Sequence, residues 1–424
     1  MRKVIFGFIS ILIILIIIMI GCEIRYQMPS VMYKDHNYQS YQGNKKNLSK
    51  AKKNRIKDED FLGTYGTSIV NQSGKEVVLE GVNIGGWLLQ EYWMCPVKGD
   101  KDVNQWTNIE TLQELEKRFG EEKTRELVET YEENWITEKD IQNIAAKGCN
   151  VIRVPFWFRN FMLYSDGTWI VQDKEKNPGF QRLDWIIKTA GKYGIYVILD
   201  MHGCPGGQSS DHSTGSARKC RLYSNETHQK SMEKLWVAIA KRYKDNPTVA
   251  AYDIMNEPEY FEGKISEDPR NKIYDQMIHA IREVDNRHII AVEGIWELSV
   301  LPHPDEIGWT NVIYEVHSYG DNVDSYCKKL LKYSNEYDVP VYLGEFSDVK
   351  WLEKCREEEI SFTSWTYKGT SNTDETWFMY QSKDMAKADV TKDPYWLIKL
   401  KWGKCLRTEY FDENKEITKY WKQN

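Results

Sequence analysis

Two spacings that mark metal sites are absent from this 424-residue chain, since neither a Cys-x-x-Cys nor a His-x-His pair occurs. A surplus of positive charge is absent too. With 57 Lys and Arg against 63 Asp and Glu, the formal net charge is −6. That balance argues against a nucleic-acid partner, because phosphate backbones favour basic surfaces. No internal repeat is visible, and no second catalytic or appended binding module is predicted. What the chain does contain is 41% hydrophobic residues, enough to predict a folded globular protein.

The first 21 residues are predicted to be a signal peptide or a membrane anchor. Arg2 and Lys3 precede an almost unbroken apolar run at 4–20. Its length lies between that of a secretory signal and that of a spanning helix. The run ends Met-Ile-Gly-Cys at 19–22, which resembles a bacterial lipobox, so lipidation of Cys22 is predicted and an uncleaved anchor is the alternative. Either way, we expect an extracytoplasmic protein: a cell-surface lipoprotein or membrane-anchored, with secretion as a further alternative.

Residues 22–60 are polar and Lys-rich, and we predict a linker because such a segment buries too little apolar surface to fold alone. One catalytic domain is predicted for residues 61–424. Seven cysteines follow Cys22, so at least one must be unpaired. Cys204 and Cys220 flank one polar loop and are the favoured disulfide pair.

From residue 61 onward, strand and helix patterns alternate. A β-hairpin is predicted first, with arms at 67–70 and 75–79. Eight apolar strand segments follow, at 77–83, 150–155, 195–200, 249–256, 288–293, 312–317, 340–345 and 360–365. Helical periodicity marks 135–147, 180–193, 228–243 and 272–284. The fold class is therefore α/β, and the economical architecture is a single (β/α)₈ TIM barrel with an N-terminal β-hairpin.

Most of the predicted strands end at a polar or aromatic residue, and in a (β/α)₈ barrel those ends form the catalytic face. Two of these residues are glutamates, Glu257 and Glu345, and a buried carboxylate is costly unless it has a role. The other residues at strand ends are Arg153, His202, Asn256, His317, Tyr319 and Trp365. Two carboxyl groups at one face are the minimum equipment for hydrolysing a glycosidic bond. Sugar rings stack on aromatic planes, so some of the 16 Trp and 26 Tyr residues would serve such a site.

Taken together, the strand-end motifs resemble those of glycoside hydrolase family 5, the cellulase family, over about residues 61–400. The matching motifs are Ile-Arg-Val-Pro at 152–155, Asp-Met-His-Gly at 200–203, Asn-Glu-Pro at 256–258, His-Ser-Tyr at 317–319, Gly-Glu-Phe at 344–346 and Trp365. Gly-Gly-Trp at 85–87 and His-Gly-Cys-Pro-Gly-Gly at 202–207 are most similar to the exo-β-1,3-glucanase branch.

This resemblance implies a retaining β-glycosidase that hydrolyses O-glycosidic bonds, with Glu257 as the acid/base and Glu345 as the nucleophile. Substrate binding or positioning is assigned to Arg153, His202, Asn256, His317, Tyr319, Trp365, Asn83 and Trp87. Glu293 is a third acidic candidate. Further candidates for sugar contacts are Glu91, Asp211, Trp93 and Trp157. No cofactor or metal ion is expected, and we expect a monomer.

The preferred substrate is left open among several glycans. A β-glucan is favoured, β-1,3-glucan first, with an endo-β-1,4-glucanase as the close alternative. A β-mannan or a glucoside of a lipid or steroid is a more distant possibility. The loop at 209–227 departs from the exo-glucanase pattern, and loops of this kind decide between a closed pocket and an open groove. Two other classes compete: a metal-dependent barrel hydrolase using Asp200, His202, His317 and Glu345, and a non-catalytic carbohydrate-binding lipoprotein.

Overall fold

The computed structural model describes residues 55–99, 106–217, 219–320, 322–370, 377–382 and 387–421. The predicted signal or anchor, Cys22 and most of the predicted linker lie outside these residues. Within the last part of that linker, Ile56 is buried and its N–H donates to the Gly191 carbonyl at 3.1 Å. The domain boundary at residue 60 stays a prediction. In the part of the chain that is described, no helix is both long and apolar enough to cross a bilayer.

The N-terminal hairpin forms, but with a register different from the predicted one. Strands β1 (Leu62–Tyr65) and β2 (Ser68–Asn71) pair antiparallel. Gly66, with φ of 56°, allows the tight turn between them, because only residues that tolerate the left-handed region fit there. The predicted partner at 75–79 contributes the isolated bridge between Val70 and Glu76. The predicted arm at 67–70 is therefore correct, and its ladder partner was wrong.

Eight parallel strands close into the predicted barrel. They are β3 (Glu80–Asn83), β5 (Val151–Trp157), β6 (Tyr196–Gly203), β7 (Val249–Asp253), β8 (Ile289–Glu293), β9 (Val312–His317), β10 (Val341–Glu345) and β11 (Ser361–Ser364). Each bonds to the next along the chain, and β11 bonds back to β3. The order is the simple sequential order of a (β/α)₈ barrel, as predicted.

Helices and short strands surround this barrel. The helices are α1 (Asn108–Phe119), α2 (Glu121–Trp135), α3 (Glu138–Ala146), α4 (Pro178–Lys192), α5 (Glu226–Tyr243), α6 (Pro269–Arg282), α7 (Pro304–Ile307), α8 (Val323–Tyr337), α9 (Val349–Glu357), α10 (Tyr395–Trp402) and α11 (Lys415–Thr418). The short strands are β4 (Val97–Lys98), β12 (Lys368–Gly369), β13 (Tyr380–Gln381), β14 (Ala388–Asp389) and β15 (Asp412–Glu413). All four predicted helices are present, within a few residues of the predicted limits.

Among the described residues, one end of the barrel is covered by the N-terminal hairpin. At the amino ends of the strands, Leu62 and Ile69 of the hairpin share a buried cluster with Ala251, Ile289 and Tyr342 of the barrel. The hairpin therefore covers the bottom of the barrel with apolar side chains. The carboxyl ends of the strands, where the predicted polar residues lie, form the opposite face.

The described cysteines Cys95 through Cys405 are all free thiols, so the favoured pairing of Cys204 with Cys220 was wrong. The Cys204 and Cys220 sulfurs contact two different backbone carbonyls. Cys204 Sγ lies 3.8 Å from the Met201 oxygen, and Cys220 Sγ lies 3.7 Å from the Gln208 oxygen. The loop between them is held by these backbone contacts instead of a covalent bridge.

Candidate active site

The carboxyl groups of Glu257 and Glu345 meet at the carboxyl end of the barrel. Glu345 is the last residue of β10, and Glu257 lies four residues beyond the end of β7. One oxygen of each and a ring nitrogen of His317 all lie within 4.8 Å of one another. Two acidic side chains this close influence each other's protonation, so they are suited to different roles.

Glu345 is buried, and both of its carboxylate oxygens accept a hydrogen bond. Arg153 Nη1 donates to Oε1 at 2.9 Å, and the Tyr319 hydroxyl donates to Oε2 at 2.7 Å. Burial raises the pKa of Glu345, while His317 and Arg153 oppose that rise. Two donors on one carboxylate favour its ionised form, and they also fix the direction in which its oxygens point.

Glu257 has a more open environment. Its side chain is 22% exposed against 5% for Glu345. Its Oε1 lies 2.9 Å from His317 Nδ1, and its backbone N–H donates to Glu293 Oε2 at 2.7 Å. Burial raises the pKa of Glu257, and neighbouring Asp211 adds to the rise. A carboxyl group with a raised pKa keeps its proton nearer to neutral pH, as a general acid must.

Arg153 stands at the centre of a buried set of carboxyl groups inside the barrel. Its guanidinium contacts Asp200 at 3.1 Å, Asp253 at 2.7 Å, Glu315 at 3.4 Å and Glu345 at 2.9 Å. One cation cannot balance four buried carboxylates. Burial raises the pKa of Asp200 to about 7 and that of Asp253 to about 6, and it raises that of Glu315 well above its ordinary value. Part of this set is therefore protonated near neutral pH.

His202, Asn256 and Trp365 line the site beside the two glutamates. His202 Nδ1 lies 2.7 Å from Asp200 Oδ2, and Asn256 Nδ2 donates to His202 Nε2 at 3.4 Å. Asn256 Oδ1 accepts from Arg153 Nη2 at 2.9 Å. The Trp365 ring stacks on His202 with centroids 5.4 Å apart and planes 10° apart. These contacts therefore orient the Asn256 amide and fix the plane of the Trp365 indole nearly parallel to the His202 ring.

Two of the predicted binding residues, Asn83 and Trp87, direct their side-chain nitrogens at backbone carbonyls inside the protein. Asn83 is fully buried, and its Nδ2 is shared among backbone carbonyls of β10 and β11, with Gly344 nearest at 2.9 Å. Trp87 is 1% exposed, and its Nε1 donates to the Glu132 carbonyl at 2.9 Å. Asn83 Oδ1 accepts a hydrogen bond from Arg153 Nη1 at 3.2 Å, and Trp87 packs in the hydrophobic core.

The rim holds two groups of residues, which the sequence pattern revealed only in part. In the first group, Trp296 is 52% exposed and meets the half-exposed ring of Tyr319 edge-on, with centroids 6.5 Å apart. In the second group, Trp93 Nε1 donates to buried Glu91 at 2.9 Å, and His212 Nε2 lies 3.7 Å from the same carboxylate. Glu91 and Trp93 were sequence candidates, whereas Trp296 and His212 were missed because no strand-end signal marks them.

Within the described residues, His317 is the nitrogen ligand shared by the two side-chain groups that have metal-ligand spacing. Among the described ranges, the groupings with ligand spacing are Glu257–His317–Glu345 and Glu293–Glu315–His317. The four residues of the metal alternative, Asp200, His202, His317 and Glu345, do not form such a group. Arg153 directs a permanent positive charge at Glu345 from 2.9 Å, where a second cation would be repelled. The arrangement fits acid/base and nucleophilic chemistry by side chains.

Comparison with known proteins agrees with this geometry. Residues 97–384 match the family model described as cellulase (glycosyl hydrolase family 5). A β-xylosidase of Phanerodontia chrysosporium is 30% identical over 272 residues, which cover 61% of this chain and 52% of that protein. A probable glucan 1,3-β-glucosidase A of Aspergillus fumigatus is 27% identical over 291 residues, covering 64% of this chain and 65% of the relative. The chain thus spans about half to two thirds of the length of these curated relatives.

Solved structures share the fold. The crystal structure of a rutinosidase from Aspergillus niger superposes with a TM-score of 0.55 at 18% identity, covering 76% of this chain and 97% of the other. At that level of identity the likeness concerns the barrel architecture alone.

Proposed function

The chain belongs to family 5 of the glycosyl hydrolases, the cellulase family, and from this membership we propose that it is a retaining β-glycosidase acting on β-glucans. The observation that carries the proposal is the approach of Glu257 and Glu345, whose nearest oxygens lie within 4.8 Å. Retaining enzymes hold their two carboxyl groups about 5–5.5 Å apart, whereas inverting enzymes leave about 6.5–9.5 Å for a water molecule.

In the first step, Glu345 attacks the anomeric carbon and the bond to the leaving oxygen breaks. Arg153 and Tyr319 each donate to one Glu345 oxygen, which supports the ionised nucleophile. Glu257 gives its proton to the leaving oxygen. A covalent glycosyl ester on Glu345 results, and the aglycone departs as a neutral alcohol.

In the second step, Glu257 removes a proton from water, and the resulting hydroxide attacks the same carbon. The bond to Glu345 breaks and the carboxylate is restored, so the sugar leaves with its original anomeric configuration. The greater exposure of Glu257, 22% against 5% for Glu345, suits the group that must meet both the leaving alcohol and the incoming water.

His317, Asn256 and Trp365 act as positioning and binding groups in this proposal. His317 Nδ1, 2.9 Å from Glu257, keeps the acid directed toward the cleavage point. Asn256 is held by Arg153 through its Oδ1, and the N–H of its Nδ2 that is not directed at His202 donates to a sugar hydroxyl near the anomeric carbon. The Trp365 indole offers a flat apolar face for the sugar ring.

Among β-glucans, we favour β-1,3-glucan. The support is the Gly-Gly-Trp motif at 85–87 together with the relative described as a probable glucan 1,3-β-glucosidase. An endo-β-1,4-glucanase is the second candidate, because the matched family is described as cellulase. The relative described as a β-xylosidase adds β-xylosides to the substrates that must be tested.

Hydrolysis by the purified full-length chain in mild detergent tests the proposal. Laminarin, carboxymethyl-cellulose, xylan and mannan are offered, product sizes are followed over time, and ¹H NMR identifies the anomer first released. Glucose from laminarin as the first product supports exo-β-1,3 action, and mixed oligosaccharides from the β-1,4 polymer support the second candidate. Early release of the α-anomer would refute the retaining mechanism, and binding without turnover would favour the non-catalytic alternative.

We further propose that the protein is held outside the cytoplasmic membrane through its N-terminus, with Cys22 lipidated. The apolar run at 4–20 and the residues Met-Ile-Gly-Cys at 19–22 support this placement. Metabolic labelling with a palmitate analogue tests it, with Cys22→Ala as the control. Label in the Cys22→Ala variant would place the acyl group on another residue, and membrane retention of the wild-type chain without any label would favour an uncleaved transmembrane anchor.

A further inference from the structure

A third glutamate touches the active site without facing the substrate. Glu293 is the last residue of β8 and is fully buried. Its Oε2 accepts the backbone N–H of Glu257 at 2.7 Å, and its Oε1 lies 3.5 Å from His317 Nδ1. His317 Nδ1 in turn lies 2.9 Å from the Glu257 carboxylate. Glu293 therefore meets Glu257 from two sides, through the backbone directly and through the imidazole.

The backbone of Glu257 needs such support. Its φ is 39°, in the left-handed region that non-glycine residues adopt only at a cost of about 1–3 kcal/mol unless neighbours fix them. A hydrogen bond from its N–H to a carboxyl oxygen stabilises that conformation. Because the conformation sets the direction of the Glu257 side chain, the contact with Glu293 governs where the acid points.

On the basis of the proposed function, we propose that Glu293 is the positioning residue for the acid/base Glu257. Its carboxyl oxygen holds the Glu257 turn in the left-handed conformation and keeps the acid within reach of the leaving oxygen. Glu345 depends on other donors, Arg153 and Tyr319. Loss of Glu293 should therefore impair protonation of the leaving group and leave nucleophilic attack largely intact.

The protonation state of Glu293 fits this role. Burial raises the pKa of Glu293 well above its ordinary value, and the neighbouring Glu315 and Glu257 raise it further. A neutral carboxyl group accepts the backbone N–H without adding a negative charge beside Glu257. The acid is thus held in place by a group that does not repel its ionised form.

Two variants of different length test the proposal in the full-length protein. Glu293→Gln keeps an acceptor oxygen at the same reach, whereas Glu293→Asp withdraws it by one methylene group. Rates are measured on phenyl and 2,4-dinitrophenyl β-glucoside and β-xyloside, because the dinitrophenolate leaves without needing a proton. For Glu293→Asp, kcat/KM should fall about 100-fold on the phenyl glycoside and less than about 5-fold on the dinitrophenyl glycoside. Glu293→Gln should stay within about 5-fold of wild type on both.

A matched control separates positioning from general loosening of the strand end. Tyr274→Phe removes a hydroxyl that bonds the backbone of Glu293, at 3.0 Å to its carbonyl, and leaves the carboxyl group untouched. It should affect both substrates equally. Equal losses on the two leaving groups for Glu293→Asp, or a Glu293→Gln variant as impaired as Glu293→Asp, would overturn the assignment. Inactivity of the wild-type chain on every glycoside would instead refute the proposed function.

Discussion

The hydroxyl of Tyr319 donates to Glu345 Oε2 at 2.7 Å, on the side of the carboxylate opposite the oxygen that Arg153 holds. Tyr319→Phe removes this donor and leaves the ring in place. A hydrogen bond to a charged group contributes about 1.5–3 kcal/mol, so kcat/KM should fall at least about tenfold. The ionised form of Glu345 loses support, so its pKa should rise and the acid limb of the pH–rate profile should move to higher pH. An unmoved acid limb would argue against this role.

The two glutamates should respond differently to truncation. Glu345→Ala removes the nucleophile and should abolish turnover of every glycoside. Glu257→Ala should lose far less activity on a 2,4-dinitrophenyl glycoside than on a phenyl glycoside, because the activated leaving group needs no proton. Azide should restore turnover in both variants, giving the β-glycosyl azide from Glu257→Ala and the α-glycosyl azide from Glu345→Ala. The same azide anomer from both variants would contradict the assigned roles.

The pH dependence of activity follows from the buried environment of the pair. Burial raises the pKa of Glu345 and that of Glu257. Activity needs Glu345 ionised and Glu257 protonated, so it should rise as pH passes the pKa of Glu345 and fall as pH passes the pKa of Glu257. The acid limb of kcat/KM should lie above the ordinary range of a glutamate. In the Glu257→Gln variant, the profile of kcat/KM against pH on a dinitrophenyl glycoside should lose its basic limb and keep its acid limb. A basic limb retained in this variant would show that a group other than Glu257 causes it.

The barrel, and the location of Glu257 and Glu345 at its carboxyl end, were predictable because the strand pattern and the residue chemistry agree. Each buried strand of a (β/α)₈ barrel is an apolar run that stops where it reaches the catalytic face. The strand Val312–His317 was predicted to the residue, because His317 follows an apolar run directly. Glu345 closes Val341–Glu345 in the same way. The residues that follow Asp253 continue as an apolar run to Asn256, so the end of that strand was predicted three residues late.

Side-chain direction and exposure were not predictable in the same way. Trp87 and Trp296 are equally aromatic in the sequence, yet the first is 1% and the second 52% exposed. The left-handed backbone of Glu257 depends on the distant carboxyl group of Glu293, a contact across 36 residues. The hairpin register was decided by Gly66, while the sequence also offered a turn signal at 71–74. Each of these features rests on tertiary contacts that one sequence does not encode locally.

A buried carboxylate beside the barrel, Asp285, predicts how stability varies with pH. Asp285 accepts from the Tyr252 hydroxyl at 2.8 Å and lies 2.6 Å from His288 Nδ1. Burial pushes the pKa of Asp285 upward, but His288 and the Arg287 N–H outweigh it and lower the pKa to about 2. A lowered pKa in the folded state stabilises the protein above the unfolded pKa of about 3.9 and loses that effect as pH falls toward 2.

Asp285→Ala should therefore lower the free energy of unfolding by about 3 kcal/mol at pH 7, because hydrogen bonds to a charged group are lost. The difference from wild type should shrink as pH falls from 5 toward 2. Urea unfolding followed by tryptophan fluorescence at several pH values measures it. A difference that is constant over that range would show that packing, and not the charge of Asp285, is responsible.

Trp296 offers the most direct test of how the site binds more than one sugar. Its side chain is 52% exposed and stands edge-on to Tyr319, whose hydroxyl reaches the nucleophile. An exposed aromatic face beside Tyr319 suits the stacking of a second sugar ring. Trp296→Ala should raise KM for an oligosaccharide about tenfold, since aromatic contacts contribute about 0.5–1.5 kcal/mol beyond area burial, and should leave kcat on a dinitrophenyl monosaccharide glycoside unchanged.

Trp396→Ala is the matched control, because Trp396 is 65% exposed on the outer helix α10 and should change neither value. If Trp296→Ala lowers kcat on the monosaccharide glycoside as much as it raises KM on the oligosaccharide, the residue supports Tyr319 and does not bind a sugar.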